Sequence, residues 1–167
     1  RKAWLAERPR RVDNRLALGE RFAEAGEAKA AAAVLEPCLE RSALCPDDPA
    51  LRSRIAETLA KLREDAGDDE GAAALLDRAI DDALAHRGRI EALFARRESL
   101  ARKRDDVAAL GARWSTRLAG PRAHPALAEA VARVRLWSGD VAGSLAAFEQ
   151  ARRLAPSDGK LARRFFA

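Results

Sequence analysis

The segment Gly139–Pro156, GDVAGSLAAFEQARRLAP, is the most informative stretch of the sequence. It begins with a turn at Gly139 and Asp140, and it then carries apolar or small residues at intervals of three, a spacing that places side chains along one face of an α-helix. These residues are Leu145, Phe148, Ala151 and Leu154. Pro156 ends the helix, since proline lacks a backbone N–H and clashes with the preceding turn.

The composition favours helix along the whole chain. The 167 residues include 40 alanines, and alanine is the best intrinsic helix former, with leucine, arginine and glutamate close behind. β-Branched residues are scarce, so there is little from which to build strands. The length suits one compact domain or a short solenoid. We therefore predict an all-α fold.

The helix–turn–helix pattern recurs along the chain. Residues Leu16–Gly26, LALGERFAEAG, place Leu18, Gly19 and Phe22 in an L-G-x-x-aromatic arrangement ahead of a turn. This arrangement and a 34-residue period resemble the tetratricopeptide repeat (TPR) family. The resemblance implies an α-solenoid of antiparallel helix pairs that serves as a non-enzymatic protein-binding scaffold. Two residue pairs repeat at 34 residues, Val107 with Val141 and Trp114 with Phe148.

The TPR pattern divides the chain into four full units and two half-units, of which the third full unit matches the first-helix signature least well. Stacking of three or more repeats supplies the core, because one repeat cannot bury its own apolar face. Since the chain opens on Arg1 and contains no methionine, we interpret it as an interior fragment. The alternative to a TPR array is another α-solenoid or an irregular helical bundle. The predicted full units are 12–48, 49–86, 87–124 and 125–158, and the half-units are 1–11 and 159–167.

Residue types that catalyse reactions or bind metals are sparse. His86 and His124 are the only histidines, and neither has a second ligand at chelating spacing. The sequence contains no phosphate-binding glycine loop and no nucleophile elbow. We predict that the chain is not an enzyme and uses no cofactor.

The two cysteines allow two interpretations. Cys38 falls at a small, buried position of a second helix, and Cys45 lies seven residues later in a loop. The pair forms either two free thiols or, in an oxidising compartment, a disulfide between helix and loop.

Two groups of charged or aromatic residues are candidates for partner binding. The first group is a cluster of basic residues, which is either a binding site for an anionic partner or a solvated helix end. Nucleic acid is not expected, since no aromatic residues are interleaved with these cations. The cluster consists of Arg96, Arg97, Arg102, Lys103 and Arg104.

The second group follows from the TPR resemblance, which implies that first helices line a concave groove. Trp137 lies near the end of a first helix, where it is either an exposed anchor or part of the core. The lysine and asparagine pattern of chaperone-binding TPR proteins is missing. The predicted groove residues are Asp13, Glu20, Glu24, Glu57, Arg133 and Trp137.

The segment Ala132–Gln150, ARVRLWSGDVAGSLAAFEQ, resembles the periplasmic TPR regions of bacterial exopolysaccharide exporters of the Pel type. This resemblance implies a periplasmic segment of an outer-membrane protein that docks a polysaccharide-modifying enzyme or an export component. The alternatives are a cytoplasmic TPR adaptor and an arginine-rich anion or nucleic-acid binder. No apolar run reaches the 18 residues that a membrane-spanning helix needs.

Overall fold

The computed structural model describes residues 12–39, 48–86, 90–121 and 123–156. Within these ranges all regular structure is helical, which confirms the all-α prediction. The two predicted half-units and Cys45 lie outside the described residues. The proposed boundaries of the repeat units remain a prediction.

Eight α-helices are found in the described ranges, and a short 3₁₀-helix, Glu36–Cys38, follows the second of them. We call the first member of each pair an A helix and the second a B helix. The A helices are α1 (Val12–Glu24), α3 (Pro49–Asp65), α5 (Ile90–Lys103) and α7 (Pro125–Trp137). The B helices are α2 (Ala28–Leu35), α4 (Asp69–His86), α6 (Val107–Leu118) and α8 (Val141–Leu154).

The chain forms two compact units, residues 1–96 and 97–167, and the boundary between them falls inside α5. In the first unit α1 packs on α2, α3 packs on α4, and α3 also contacts α1 and α2. In the second unit α7 packs on both α6 and α8. Within each unit, these contacts are mostly between helices that follow one another in sequence.

Each A helix ends in the same kind of turn. After α1, the Gly26 N–H donates to the Ala23 carbonyl at 3.0 Å and the Glu27 N–H donates to the Phe22 carbonyl at 2.8 Å. These two bonds define a Schellman motif, and the same pair of bonds follows α3, α5 and α7. One residue of each turn has a left-handed backbone: Gly26 (φ 75°), Gly67 (φ 81°), Asp105 (φ 55°) and Gly139 (φ 83°).

The left-handed residue marks equivalent positions in the four B helices. The residue nine positions later is fully buried in the first three helices and half-buried in the last. These residues are Leu35, Leu76, Trp114 and Phe148. The residue five positions after the turn is buried in all four. This second set contains Ala31, Ala72, Leu110 and Ser144.

The last B helix differs from the expectation that its larger apolar residues would form the buried stripe. Leu145 and Leu154 are exposed, and α8 instead buries small residues. The buried residues are Ser144, Ala147 and Ala151. The buried side of α8 is therefore made of small side chains, and the leucines lie on the remaining surface.

Close packing of α1 on α2 depends on Gly19. A Cβ atom at this position would lie 2.5 Å from Cγ of Leu35, a side chain that is itself fully buried. Leu35 belongs to the core cluster of the first unit, together with Leu16, Ile55 and Leu59. Because Leu35 has no free space into which to move, a small residue at position 19 is a packing requirement.

We expect Gly19→Ala to lower the free energy of unfolding by about 1–2 kcal/mol in urea denaturation. The overlap with Leu35 outweighs the gain of up to about 1 kcal/mol in helix propensity. In a Leu35→Ala background the same substitution should be neutral or stabilising, because the overlap is gone. Stabilisation by Gly19→Ala in the otherwise unchanged chain would contradict this packing.

Asp105 provides a second stability test, since it is the described non-glycine residue with a positive φ. We expect Asp105→Gly to raise the free energy of unfolding by about 0.5–1 kcal/mol, because glycine adopts this backbone without steric cost. The matched control is Gly67→Ala, which should lower stability by a similar amount. Both values come from chemical denaturation, and a destabilising Asp105→Gly would show that the aspartate side chain contributes more than its backbone costs.

Candidate functional site

Each A helix is linked to the next A helix by an acid–arginine ion pair. The glutamate always comes from the earlier helix and the arginine from the later one, at sequence separations of 34, 32 and 35 residues. These separations are close to one repeat, so each pair joins two successive hairpins. The pairs are Glu20–Arg54 (2.8 Å), Glu64–Arg96 (3.0 Å) and Glu98–Arg133 (2.8 Å).

The three pairs differ in burial. The Glu20 side chain is 37% exposed, whereas the Glu98 side chain is 5% exposed. Glu98 is also held by two bonds, because Arg133 donates from Nη2 to Oε1 at 2.8 Å and from Nε to Oε2 at 3.3 Å. Two-pronged, partly desolvated pairs of this kind are stronger than exposed ones. We therefore expect the Glu98–Arg133 pair to be the strongest of the three ion pairs.

Glu98 and its neighbour Arg97 stand where the other A helices have apolar or small residues. Arg97 lies eight residues before the left-handed turn residue, and Glu98 lies seven before it. Both are buried, and Arg97 Nη2 lies 3.8 Å from Oδ2 of Asp106 at the start of α6. The equivalent residues in the other A helices are Leu18, Leu59 and Val131, and Gly19, Ala60 and Ala132. This substitution accounts for the weak match of the third unit to the TPR signature.

The burial of Arg97 removes it from the predicted basic cluster, which is a correction to the sequence analysis. Consecutive helical residues point about 100° apart, and Arg97 lies on the side of α5 that also buries Leu93 and Leu100. Arg96 pairs with Glu64, and Arg104 Nε lies 3.8 Å from Asp106. The exposed members of the predicted cluster are Arg102, Lys103 and Arg104.

Trp137 ends α7 and is 41% exposed. The guanidinium of Arg102, in the last turn of α5, lies over its indole ring, with Cζ 4.4 Å from the ring centroid. Arg102 follows Glu98 by four residues, and Trp137 follows Arg133 by four, so this contact lies one helical turn beyond the Glu98–Arg133 pair. Leu136, next to Trp137, is 50% exposed. We call Arg102, Leu136 and Trp137 the Arg102–Trp137 surface.

The predicted acidic groove residues lie in the first unit. Asp13 and Glu24 are exposed on α1 and make no ion pair with another described residue. Glu20 pairs with Arg54, and Glu57 is half-buried on α3. The binding roles of these residues, and of Arg133 and Trp137, remain predictions.

Charge is distributed unevenly between the two compact units. Residues 97–167 contain 14 basic and 7 acidic residues, a net charge of +7. Residues 1–96 contain 17 basic and 19 acidic residues, a net charge of −2. The positive charge of the chain is therefore concentrated in the unit that carries the Arg102–Trp137 surface.

A cavity of about 420 Å³ lies along the outer side of α1. Leu18 and Phe22, the residues of the TPR-like signature, are half-buried and line it. The other described residues that line it are Asn14, Ala17, Arg21, Ala25 and Glu27.

The histidines and cysteines do not form a metal centre within the described residues, where no group of three or more potential ligands is found. His124 caps α7, its Nδ1 accepting from the Ala126 N–H at 3.2 Å. The side chain of His86 lies outside the described part. Cys38 is buried, with Sγ 3.7 Å from the Val34 carbonyl, and its pairing with Cys45 stays a prediction.

No described helix has the length and hydropathy needed to cross a bilayer.

Comparison with known proteins identifies the fold. No protein-family model and no curated protein matches the chain. Among solved structures, the chain is similar to a thermophilic TPR protein from Thermus thermophilus, with a TM-score of 0.53 and 20% sequence identity. The match covers 98% of this chain and 84% of that chain. The chain therefore has a TPR-like α-solenoid fold, as the sequence predicts.

The burial difference between the ion pairs predicts different mutational costs. We expect Glu98→Gln to lower the free energy of unfolding by about 1–2 kcal/mol, because it removes the buried countercharge that faces Arg133. The one-third exposure of Arg133 limits the loss. The exposed equivalent, Glu20→Gln, should change stability by less than about 0.5 kcal/mol. Equal costs in urea denaturation would contradict the ranking of the pairs.

Proposed function

We propose that this chain is a protein-binding scaffold and that its A-helix surface receives the partner. The observation that carries the proposal is the half-exposed indole of Trp137, which Arg102 holds in place at the end of α7. Large aromatic side chains supply much of the binding energy at protein interfaces. An indole that is already restrained loses little conformational freedom when a partner covers it.

The Glu98–Arg133 ion pair supports this choice of surface. Its charges already satisfy each other, so they add little affinity for a partner. They keep the surface polar one helical turn before Trp137, whose indole remains available. A polar surround with one aromatic anchor matches the usual anatomy of a protein interface.

We further propose that the partner belongs to an exopolysaccharide export system and that the chain works in the periplasm. The support for this finer proposal is the resemblance of Ala132–Gln150 to periplasmic TPR regions of Pel-type exporters. The partner would then be a polysaccharide-modifying enzyme or an export component. The sequence of the parent gene tests it: a signal peptide and a C-terminal β-barrel pattern support it, whereas a fused cytoplasmic effector domain contradicts it.

Site-specific photo-crosslinking in the source organism tests the scaffold proposal. A photoreactive amino acid at position 136, on the A-helix surface, should give crosslinks to a defined protein. The matched control is position 112, an exposed alanine on the B helix α6. Crosslinks at position 112 and none at position 136 would place the binding surface on the B helices.

Once crosslinking has identified the partner, we expect Trp137→Ala to weaken its binding by about 2 kcal/mol, or about thirtyfold in Kd, without loss of helical content. The reason is the loss of the aromatic anchor and of the platform beneath Arg102. Leu154→Ala, which truncates a similarly exposed apolar residue of α8, should change Kd less than about threefold. Calorimetry measures both values and circular dichroism the helical content. Similar effects of the two variants would argue against an anchor at Trp137.

A further inference from the structure

We propose that the Arg102–Trp137 surface recognises an acidic peptide segment in which a carboxylate lies next to an aromatic or aliphatic side chain. This inference rests on the proposed scaffold function and adds the chemistry of the partner. It follows from three properties of the surface: an uncompensated charge, a fixed orientation of that charge, and an adjoining apolar area.

The charge of Arg102 has no counterion among the described residues. Its natural partner is Glu98, one turn earlier on the same helix, since residues four apart on a helix are neighbours. Both carboxylate oxygens of Glu98 are bound to Arg133, however, at 2.8 and 3.3 Å. Asp106, the acid at the start of α6, is near Arg97 and Arg104. The charge of Arg102 is therefore not compensated by a described carboxylate, and it lies at an exposed position.

The indole of Trp137 fixes the orientation of this charge. With Cζ 4.4 Å from the ring centroid, the guanidinium is within the range of a cation–π contact. A guanidinium that uses its face in such a contact still has the N–H groups of its edge, which match the two oxygens of a carboxylate. Because the arginine is already restrained, binding a carboxylate costs less side-chain entropy.

The apolar part of the surface favours a peptide over a simple anion. Trp137 and Leu136 both leave a large part of their side chains in contact with solvent, beside the cation. A ligand that covers this area gains the hydrophobic contribution, and its exclusion of water strengthens the charged contact. The net charge of +7 in residues 97–167 attracts acidic segments over a longer range.

A nucleic acid fits the surface less well than an acidic peptide does. Backbone phosphates require a track of several uncompensated cations, and unstacked bases require successive aromatic platforms. Here Arg96, Arg104 and Arg133 already lie beside carboxylates. The surface has one uncompensated arginine and one indole, which suits one carboxylate beside one apolar side chain.

The test uses the full chain and a fluorescently labelled short peptide in which glutamates flank a Trp-Leu pair. Two matched peptides replace the glutamates with glutamines or the Trp-Leu pair with alanines. In fluorescence anisotropy, we expect either replacement to weaken binding by about tenfold or more. Equal binding of the glutamate and glutamine peptides, or of the Trp-Leu and alanine peptides, would overturn the proposal.

Arg102→Gln removes the charge from the surface, and we expect it to weaken binding of the glutamate peptide about tenfold while leaving the glutamine peptide unaffected. The matched control is Arg153→Gln, which removes an exposed arginine of α8 from the same compact unit and should change binding by less than about twofold. Arg102→Lys should recover only part of the affinity, since lysine lacks the flat, two-pronged donor.

Equal losses for Arg102→Gln and Arg153→Gln would show that net charge alone attracts the peptide, and would overturn the proposed site. Displacement of the peptide by a single-stranded oligonucleotide at lower concentration than by the unlabelled peptide would overturn it in favour of a nucleic-acid ligand. Neither result affects the crosslinking at position 136. If crosslinks form there and the peptide does not bind, the scaffold proposal stands and the acidic–apolar chemistry of the partner is wrong.

Discussion

The reversal of the chain after each A helix is the constraint on which the rest of the fold depends. A residue with a left-handed backbone, supported by two specific backbone bonds, stops the helix and sets the direction of the next one. Once this residue is fixed, the helical periodicity determines which side chains of the hairpin face inward. The small residue seven positions before the turn in three of the hairpins, and the buried residue five positions after it in all four, follow from that geometry.

The third hairpin has the same turn geometry but different residue types at two buried positions. Arg97 and Glu98 occupy positions that are apolar or small in the other A helices, and burial obliges each of them to find an opposite charge. Glu98 finds Arg133 on the following A helix, and Arg97 lies near Asp106. A buried ion pair adds less stability than a well-packed apolar contact, but each charge requires one particular partner of opposite charge. The substitution therefore makes the ion pair between α5 and α7 the most buried of the three that join successive A helices.

The helices, the turns and most of the buried B-helix positions could be predicted from the sequence, because they depend on local periodicity and on glycine or aspartate at the turns. Gly67 and Gly139 are clear examples. The candidate site was predicted less completely. Trp137 could be placed at the end of a first helix, but the position of Arg102 over its ring depends on a contact across 35 residues. The burial of Arg97 was missed because a basic residue within a basic cluster gives no local sign that it faces the core.

These features are connected, because the buried pair determines what the neighbouring surface offers. If Glu98 did not pair with Arg133, it would stand one helical turn from Arg102 and compensate its charge. Because Glu98 pairs with Arg133, Arg102 has no counterion among the described residues, and its guanidinium lies over the ring of Trp137. A departure from the repeat pattern inside the third hairpin thus creates an oriented cation beside an apolar residue on the surface.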